Sequence, residues 1–431
     1  MANNIGWGKG ASNNSIGWGN VGTNGFGSIY NRSNSGETDL SAQEEPLPDD
    51  FIIEVNTELD GESNSDQFQF TGAVGEYDVK AFQNDTEVAS FENLVNQQTI
   101  TLPSAGIYEL RVIIKEAGFN KLTFNNGGDR LKLLKVLNWG LYGVNELNQG
   151  FAFRGCSNLT EIADNGKWFD VVTNGTRMFE NNSLTSLPVG MELPLLTQAL
   201  FMFRSNSIES LPAGMKLPSL TNGTRMFENN SLESLPARME LPNLTIGENM
   251  FSNNSLESLP SGMELPNLIN GFGMFISNSL TSLPSGMELN NLSDGTSMFI
   301  SNSLESLPSG MELPLLSNGT SMFNGNSLTS LPSGMELPNL INGLSMFRDN
   351  SLTSLPSGME LPLLSNGTSM FLASTINTER YSQLLIDLEA NNNNDNVAFH
   401  GGNSQYNAQG EIARNALIAR GWTITDGGLE N

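Results

Sequence analysis

From residue 178 onward the apolar positions return at a fixed interval. Met-Phe pairs stand at 178/179, 202/203, 226/227, 250/251, 274/275, 298/299, 322/323, 346/347 and 370/371, each 24 residues after the last. The unit reads M-F-x-x-N-S-L-[TE]-S-L-P-x-x-M-[EK]-L-[PN]-x-L-x-x-G-x-x. A fixed period of about 20–50 residues marks a stack of repeated coils, because one unit cannot bury its apolar face alone. Without insertions, each column lies on itself. Met178, Phe179, Leu184, Leu187, Met191, Leu193 and Leu196 are therefore expected inside, with residues 184–187 as a short parallel strand before Pro188. Three residues after each Phe stands an asparagine: Asn182, Asn206, Asn230, Asn254, Asn278, Asn302, Asn326 and Asn350. A buried amide at that place can bond backbone groups of its own and the neighbouring coil, which predicts an asparagine ladder. The pairs Asn174-Gly175, Asn222-Gly223 and Asn318-Gly319 predict a left-handed corner that closes each coil.

The rest of the chain carries other periods. Alternation at residues 51–55, 67–70, 77–82, 98–102 and 108–114, separated by Gly, Asn and Pro, predicts the strands of a small β-sandwich over 46–122. After Phe371 the asparagine column fails at Ser374. Tyr381, Leu384, Leu385 and Leu388 then form one apolar helix face. A strand at 397–399, a helix carrying Ile412, Ala413, Ala416, Leu417 and Ala419, and the segment after Gly421 complete an α/β cap over 372–431. At the other end, residues 1–45 are rich in Gly and Asn, and Ile5-Gly6-Trp7-Gly8 returns as Ile16-Gly17-Trp18-Gly19. Two readings stand for this tract: a flexible tail, or an assembly and anchoring segment in which Trp7 and Trp18 order against another chain.

These residues resemble a known family. N-x-L-x-x-L-P at a 24-residue period is similar to leucine-rich repeats, and its Met-Phe-x-x-Asn-Ser-Leu form resembles the BspA-like repeats of bacterial and bacteriophage surface proteins. Ala152-Phe153-Arg154-Gly155-Cys156-Ser157-Asn158-Leu159 looks like that family's A-F-x-x-C-x-x-L coil, with Cys156 where later coils carry Asn. The resemblance implies a leucine-rich-repeat solenoid over 123–371 with short parallel β-strands, opened by the segment from Phe124 to Trp139. The sandwich resembles PKD-type immunoglobulin-like modules through Ala105-Gly106-Ile107-Tyr108-Glu109-Leu110-Arg111-Val112. It departs from them at Lys80-Ala81-Phe82-Gln83-Asn84-Asp85-Thr86, where the family has its tryptophan turn. The opening tract looks like those of bacteriophage structural proteins.

Composition narrows the function. The 431 residues carry 20 Lys+Arg against 46 Asp+Glu, a formal charge of −26. Such a chain is repelled by nucleic acid and by anionic lipid, and no apolar run is long enough for membrane insertion. The opening residues show no basic region followed by an apolar core, so classical secretion is not expected. Cys156 is the one cysteine and His400 the one histidine, which leaves little for imidazole or thiol chemistry. With no G-x-S-x-G, H-E-x-x-H or P-loop motif, no enzyme, catalytic residue, cofactor or metal site is expected. The glutamates Glu192, Glu240, Glu264, Glu288, Glu312, Glu336 and Glu360 share one column of the coils, broken by Lys216. At about 4.8 Å they repel by about 0.9 kcal/mol in water, so the column is either a solvated face or a divalent-ion stripe. The eleven acidic residues from Glu37 to Asp66 read as a solvated linker with strand ends, or as a Ca²⁺ holder.

Columns that vary carry the recognition hypothesis. Arg177, Leu200, Phe201, Arg204, Arg225, Phe272, Ile276, Ile300 and Arg348 set large or cationic side chains on otherwise small polar columns, which is either a recognition face or drift at exposed positions. The expected function is that of a non-enzymatic bacteriophage virion protein, a tail fibre or other appendage. The opening tract would bind other virion proteins, and the solenoid would contact a host surface protein or glycan. A homo-oligomer is open, and the alternative is a bacterial cell-surface adhesin or spacer.

Overall fold

The computed structural model describes residues 49–115, 121–237 and 239–430. The tract containing Trp7 and Trp18 lies outside them. The chain opens with β1 (Phe51–Asn56), β2 (Gln67–Gln69), β3 (Glu76–Gln83), β4 (Thr86–Val95), β5 (Thr99–Thr101) and β6 (Ile107–Ile114). Then follow β7 (Leu133–Asn138) and β8 (Glu161–Ile162). Their main sheet has the order β4-β3-β6-β1-β7-β8, while β2 and β5 pair separately. The alternation at 51–55, 77–82 and 108–114 puts Ile53, Val55, Tyr77, Val79, Leu110 and Val112 in the core.

Two features were not visible in the pattern. β4 is mostly exposed and so lacks a regular apolar face; it is held as a hairpin partner of β3. Asn84 and Asp85, both at positive φ (49° and 59°), form that turn, which suits the right-handed twist of paired strands. The second feature corrects the boundary drawn after residue 122. β7 belongs to the same sheet as β1, antiparallel to it, and β8 lies parallel on β7. Residues 133–138 therefore carry the sheet of the first region directly into the first coils.

From Phe153 onward the coils stack. The rings of Phe153, Phe179, Phe203 and their successors to Phe371 lie nearly parallel, at 3–8°, with centroids 5.4–5.7 Å apart. All seven apolar columns named from the sequence are buried. Backbone bonds tie each coil to the next: Gly175 N–H donates to Gln198 O, Arg177 to Leu200, Phe179 to Met202 and Asn181 to Arg204, at 2.8–2.9 Å. The same pattern repeats up the stack.

The ladder of extended backbone runs elsewhere than expected. Parallel bridges connect Asn148, Asn174, Gln198, Asn222 and so on to Asn366, whereas at the predicted strand, 184–187, bridging occurs only for Ser186–Ser210 and Ser330–Ser354. The reason is local. The Leu184 N–H donates to the side chain of Asn206 instead of to a carbonyl (3.1 Å), and Pro188 has no N–H to offer.

The corners also differ. Asn174 and Gly175 do not take positive φ; the left-handed residues are Arg177 (57°) and Asn181 (60°), and their equivalents in later coils. Gly175 serves close approach, since a Cβ there would meet Met202 Sδ at 2.6 Å.

The asparagine column is bonded from Asn206 to Asn350. Asn206 donates Nδ2 to Phe179 O (2.8 Å) and Phe203 O (3.0 Å) while Oδ1 accepts from Leu184. Asn182, expected as the first rung, has neither side-chain polar atom partnered among the described residues. The coil beneath it has Cys156 at this place and an extra residue before Leu159, whose N–H bonds Cys156 O. No donor is left where Asn182 could accept. Cys156 itself is fully buried, and burial pushes its thiol well above the ordinary range. A thiol-specific reagent is therefore expected to leave Cys156 unmodified in the native protein and to label it only after unfolding; labelling at the rate of a free thiol would contradict this placement.

The last coil ends in a helix, strand, helix, strand sequence. β9 (Asn366–Gly367), β10 (Ala398–His400) and β11 (Thr423–Thr425) form a parallel sheet, with α1 (Thr378–Asn391) before β10 and α2 (Ala408–Ala419) after it. Asn377 and Asn407 cap the two helices by accepting N–H groups of their first turns. Tyr381, Leu384, Leu385 and Leu388 are buried, and Phe399 and Trp422 extend the line of aromatic rings beyond Phe371. In α2 only Ala413 and Leu417 of the apolar residues are buried; Ile412 faces solvent. His400 Nδ1 accepts the N–H of Gly402 at 3.0 Å. Among the described residues no helix is long and apolar enough to cross a membrane.

Candidate functional site

The variable columns lie on two surfaces. One is the edge formed by the left-handed turns, where the sequence placed its recognition residues. There Glu180, whose side chain is 2% exposed, is held by Arg154 Nε (2.7 Å), Arg177 Nη1 (2.8 Å) and Arg204 Nη1 (3.3 Å). Arg204 Nε continues to Glu228 at 2.6 Å, and Arg225 lies 3.6 Å from both Glu228 and Glu248. The Phe201 ring sits among these groups, 4.0 Å from the Arg177 guanidinium and 5.6 Å and 5.9 Å from those of Arg204 and Arg225. A buried carboxylate needs such partners to offset its desolvation, and an aromatic face attracts guanidinium.

The structure thus brings Arg177, Phe201, Arg204 and Arg225 together, but bonds them to one another and to glutamates of their own stack. Leu200, Ile276 and Ile300 are half-buried on the same edge, Phe272 is exposed, and Arg348 stands apart, paired with Asp349 at 3.1 Å. Truncating Arg204 is expected to lower stability by about 1–2 kcal/mol, between the exposed and buried limits for ion pairs, because Glu180 keeps two other cations. Truncating Arg348, whose pair is about half exposed, should cost less than about 0.5 kcal/mol. Urea titration of the two variants measures the difference; equal losses would contradict the network.

The second surface is an open groove of about 900 Å³ running across coils, lined by Ser219, Thr221, Asn243, Thr245, Asn267, Ile269, Asn291, Ser293 and Leu315. These residues come from two columns, the one following the second proline of each unit and the one two places further on. The polar side chains among them are fixed by bonds to the coil before. Asn243, Asn267 and Asn291 donate Nδ2 to the carbonyls of Pro218, Pro242 and Pro266 at 2.6–2.7 Å. Ser219 donates to Pro194 O at 2.7 Å, Thr221 to Thr197 O at 3.1 Å and Thr245 to Thr221 O at 3.0 Å. Among the described residues no backbone N–H donates to these proline carbonyls, so a polar side chain of the next coil can take them.

No family model matches the chain, and no curated protein matches it significantly.

The groove columns were missed in the sequence, although both are variable positions of the repeat. The signal was present: column 195 alternates amides with leucine, as Leu195, Ser219, Asn243, Asn267, Asn291, Leu315, Asn339 and Leu363, while its neighbour, Leu196 and equivalents, never varies. The large and charged substitutions named from the sequence lie on the turn edge instead. The glutamate column, from Glu192 to Glu360, is exposed along its whole length. Water screens such a column, so like charges one coil apart are tolerated without a bound cation.

Proposed function

We propose that the protein is a non-enzymatic structural component of a bacteriophage virion, a tail fibre or other appendage, which contacts the host surface through its stacked coils. The observation that carries this reading is the separation of constant from variable columns. Columns buried inside the stack, such as the Met-Phe pair, the asparagines and the inner leucines, hardly change, whereas those facing solvent on the turn edge and in the groove change from coil to coil. A stack of this kind keeps its geometry while each coil offers different side chains, which is what a binding scaffold needs. The BspA-like leucine-rich-repeat and PKD-like assignments, and the virion location, rest on the sequence resemblances together with the glycine- and tryptophan-rich opening tract.

Mass spectrometry of purified phage particles from the producing culture tests this reading. The protein is expected among the particle components and at the particle tail by antibody labelling. Finding it only on bacterial envelopes would support the alternative, a cell-surface adhesin or spacer built on the same repeats.

A further inference from the structure

The donor and acceptor inventory of the groove limits its ligand. The hydroxyl hydrogens of Ser219, Thr221 and Thr245 are directed at backbone carbonyls, and so is one amide hydrogen of each of Asn243, Asn267 and Asn291. What remains toward the groove is one amide hydrogen of each asparagine against a larger set of acceptors: the three amide oxygens, which accept from no described residue, and the hydroxyl lone pairs, of which Thr221 Oγ1 already accepts from Gln198 Nε2 at 3.2 Å. An acceptor-lined site suits a ligand rich in hydroxyl donors. It offers fewer partners to carboxylate and phosphate, which only accept. Charge acts in the same direction, since residues 239–347 contain nine Asp and Glu and no Lys or Arg, and the nine residues lining the groove are all uncharged.

The remaining walls and the repeat complete the picture. Ile269 and Leu315 are 50% and 48% exposed and give apolar patches against which the C–H face of a sugar ring can lie. The polar groups recur once per coil, and the coils are 5.4–5.7 Å apart by their ring spacing. That repeat is comparable with the length of one sugar unit in an extended chain, so successive coils can meet successive rings.

We infer that this groove binds a linear, neutral glycan lying along the stack. The inference deepens the host-contact reading above, and rests on it for the source of the glycan. The turn edge is the weaker choice, because its arginines are already neutralised by Glu180, Glu228 and Glu248.

The test uses the full chain and isothermal titration with linear hexasaccharides of 1,4-linked glucose, mannose and N-acetylglucosamine, and a hexamer of galacturonic acid as the acidic comparison. At least one neutral hexamer is expected to bind and the acidic one not to bind. The triple variant Asn243→Leu, Asn267→Leu, Asn291→Leu should bind at least about tenfold more weakly, since it removes three acceptors. It should fold normally, because the same column already holds Leu195, Leu315 and Leu363. Undiminished binding by the variant, preference for the acidic hexamer, or binding of none of these sugars would overturn the inference. Attachment to host cells separates the two claims. Cells held equally by both proteins, and lost after protease treatment of the cells, would leave host contact standing and point to a protein receptor, against the glycan. A neutral hexamer bound through the groove, with no cell bound at all, would support the site and remove the host-contact reading.

Discussion

Replacing Asn278 by alanine is expected to lower the unfolding free energy by about 2–4 kcal/mol. Asn278 lies in the middle of the stack, 9% exposed. Its Nδ2 donates to Phe251 O at 3.0 Å and to Phe275 O at 3.1 Å, and its Oδ1 accepts the Leu256 N–H at 3.0 Å. Alanine would strand the buried Leu256 N–H at about 1–3 kcal/mol, while Phe251 O and Phe275 O would each lose one of two donors and keep the other, from Asn254 (3.1 Å) and Asn302 (2.9 Å). Aspartate should do no better, since it keeps the acceptor but loses both donors and adds a buried charge. Asn182→Ala supplies the contrast. The same residue type in the same column has no partner there, so its removal should change stability by less than about 1 kcal/mol. Guanidinium or urea unfolding of the two variants tests the pair; similar losses would mean that position in the repeat, and not the amide's bonds, sets the cost.

The second large effect is expected at the start of the stack, for Lys132→Met. Lys132 and Asp129 are both fully buried, with Nζ 3.6 Å from Oδ2. The ammonium also donates to the carbonyls of Ser63 (3.0 Å), Asn64 (2.8 Å) and Gln67 (2.9 Å) and to Ser63 Oγ (2.8 Å). Asp129 in turn accepts from Ser63 N–H and Oγ–H and from Gln69 N–H. Together they pin residues 63–69 to the segment that precedes β7. Burial pulls the Lys132 ammonium below its ordinary range, while Asp129 opposes that shift. Methionine fills similar volume but leaves Asp129 as an uncompensated buried charge, for a loss of about 3–5 kcal/mol. Adding Asp129→Asn to Lys132→Met should recover part of that loss by removing the charge. A double variant less stable than the single one would contradict the assignment of the cost to the unpaired carboxylate.

Legibility in the sequence followed physical strength of signal. The 24-residue period placed every inward column from Met178 to Leu196, because a stack repeats the same environment and burial then repeats the same residue. The apolar face of α1 was readable for a related reason, a regular 3.6-residue alternation. β4 was not, because a mostly exposed edge strand has no apolar face to read and is defined by its neighbour, β3. The bridges at Asn174 and its equivalents, in place of residues 184–187, were hidden because a side chain, Asn206 and its equivalents, took the N–H that a strand would have used. That substitution is a bonding choice which periodicity does not encode. In the candidate site the arginines and Phe201 were visible as outliers, but their mutual pairing depends on which glutamates stack beside them. The groove depends on small polar residues whose importance lies in where their hydrogens point, and that is set by the proline and threonine carbonyls of the coil before.

The central claim is that successive 24-residue units lie on one another in register. Pulsed electron-spin distance measurement tests it most directly, with labels on cysteines introduced at Ser231 and at Ser303, Ser327 or Ser351, all exposed equivalents, while buried Cys156 stays unlabelled. From three to four to five coils of separation, narrow distributions are expected, with the mean rising by about 5–6 Å each time, following the ring spacing. Means that do not rise with the number of coils, or one broad distribution common to all three pairs, would contradict the stacked arrangement.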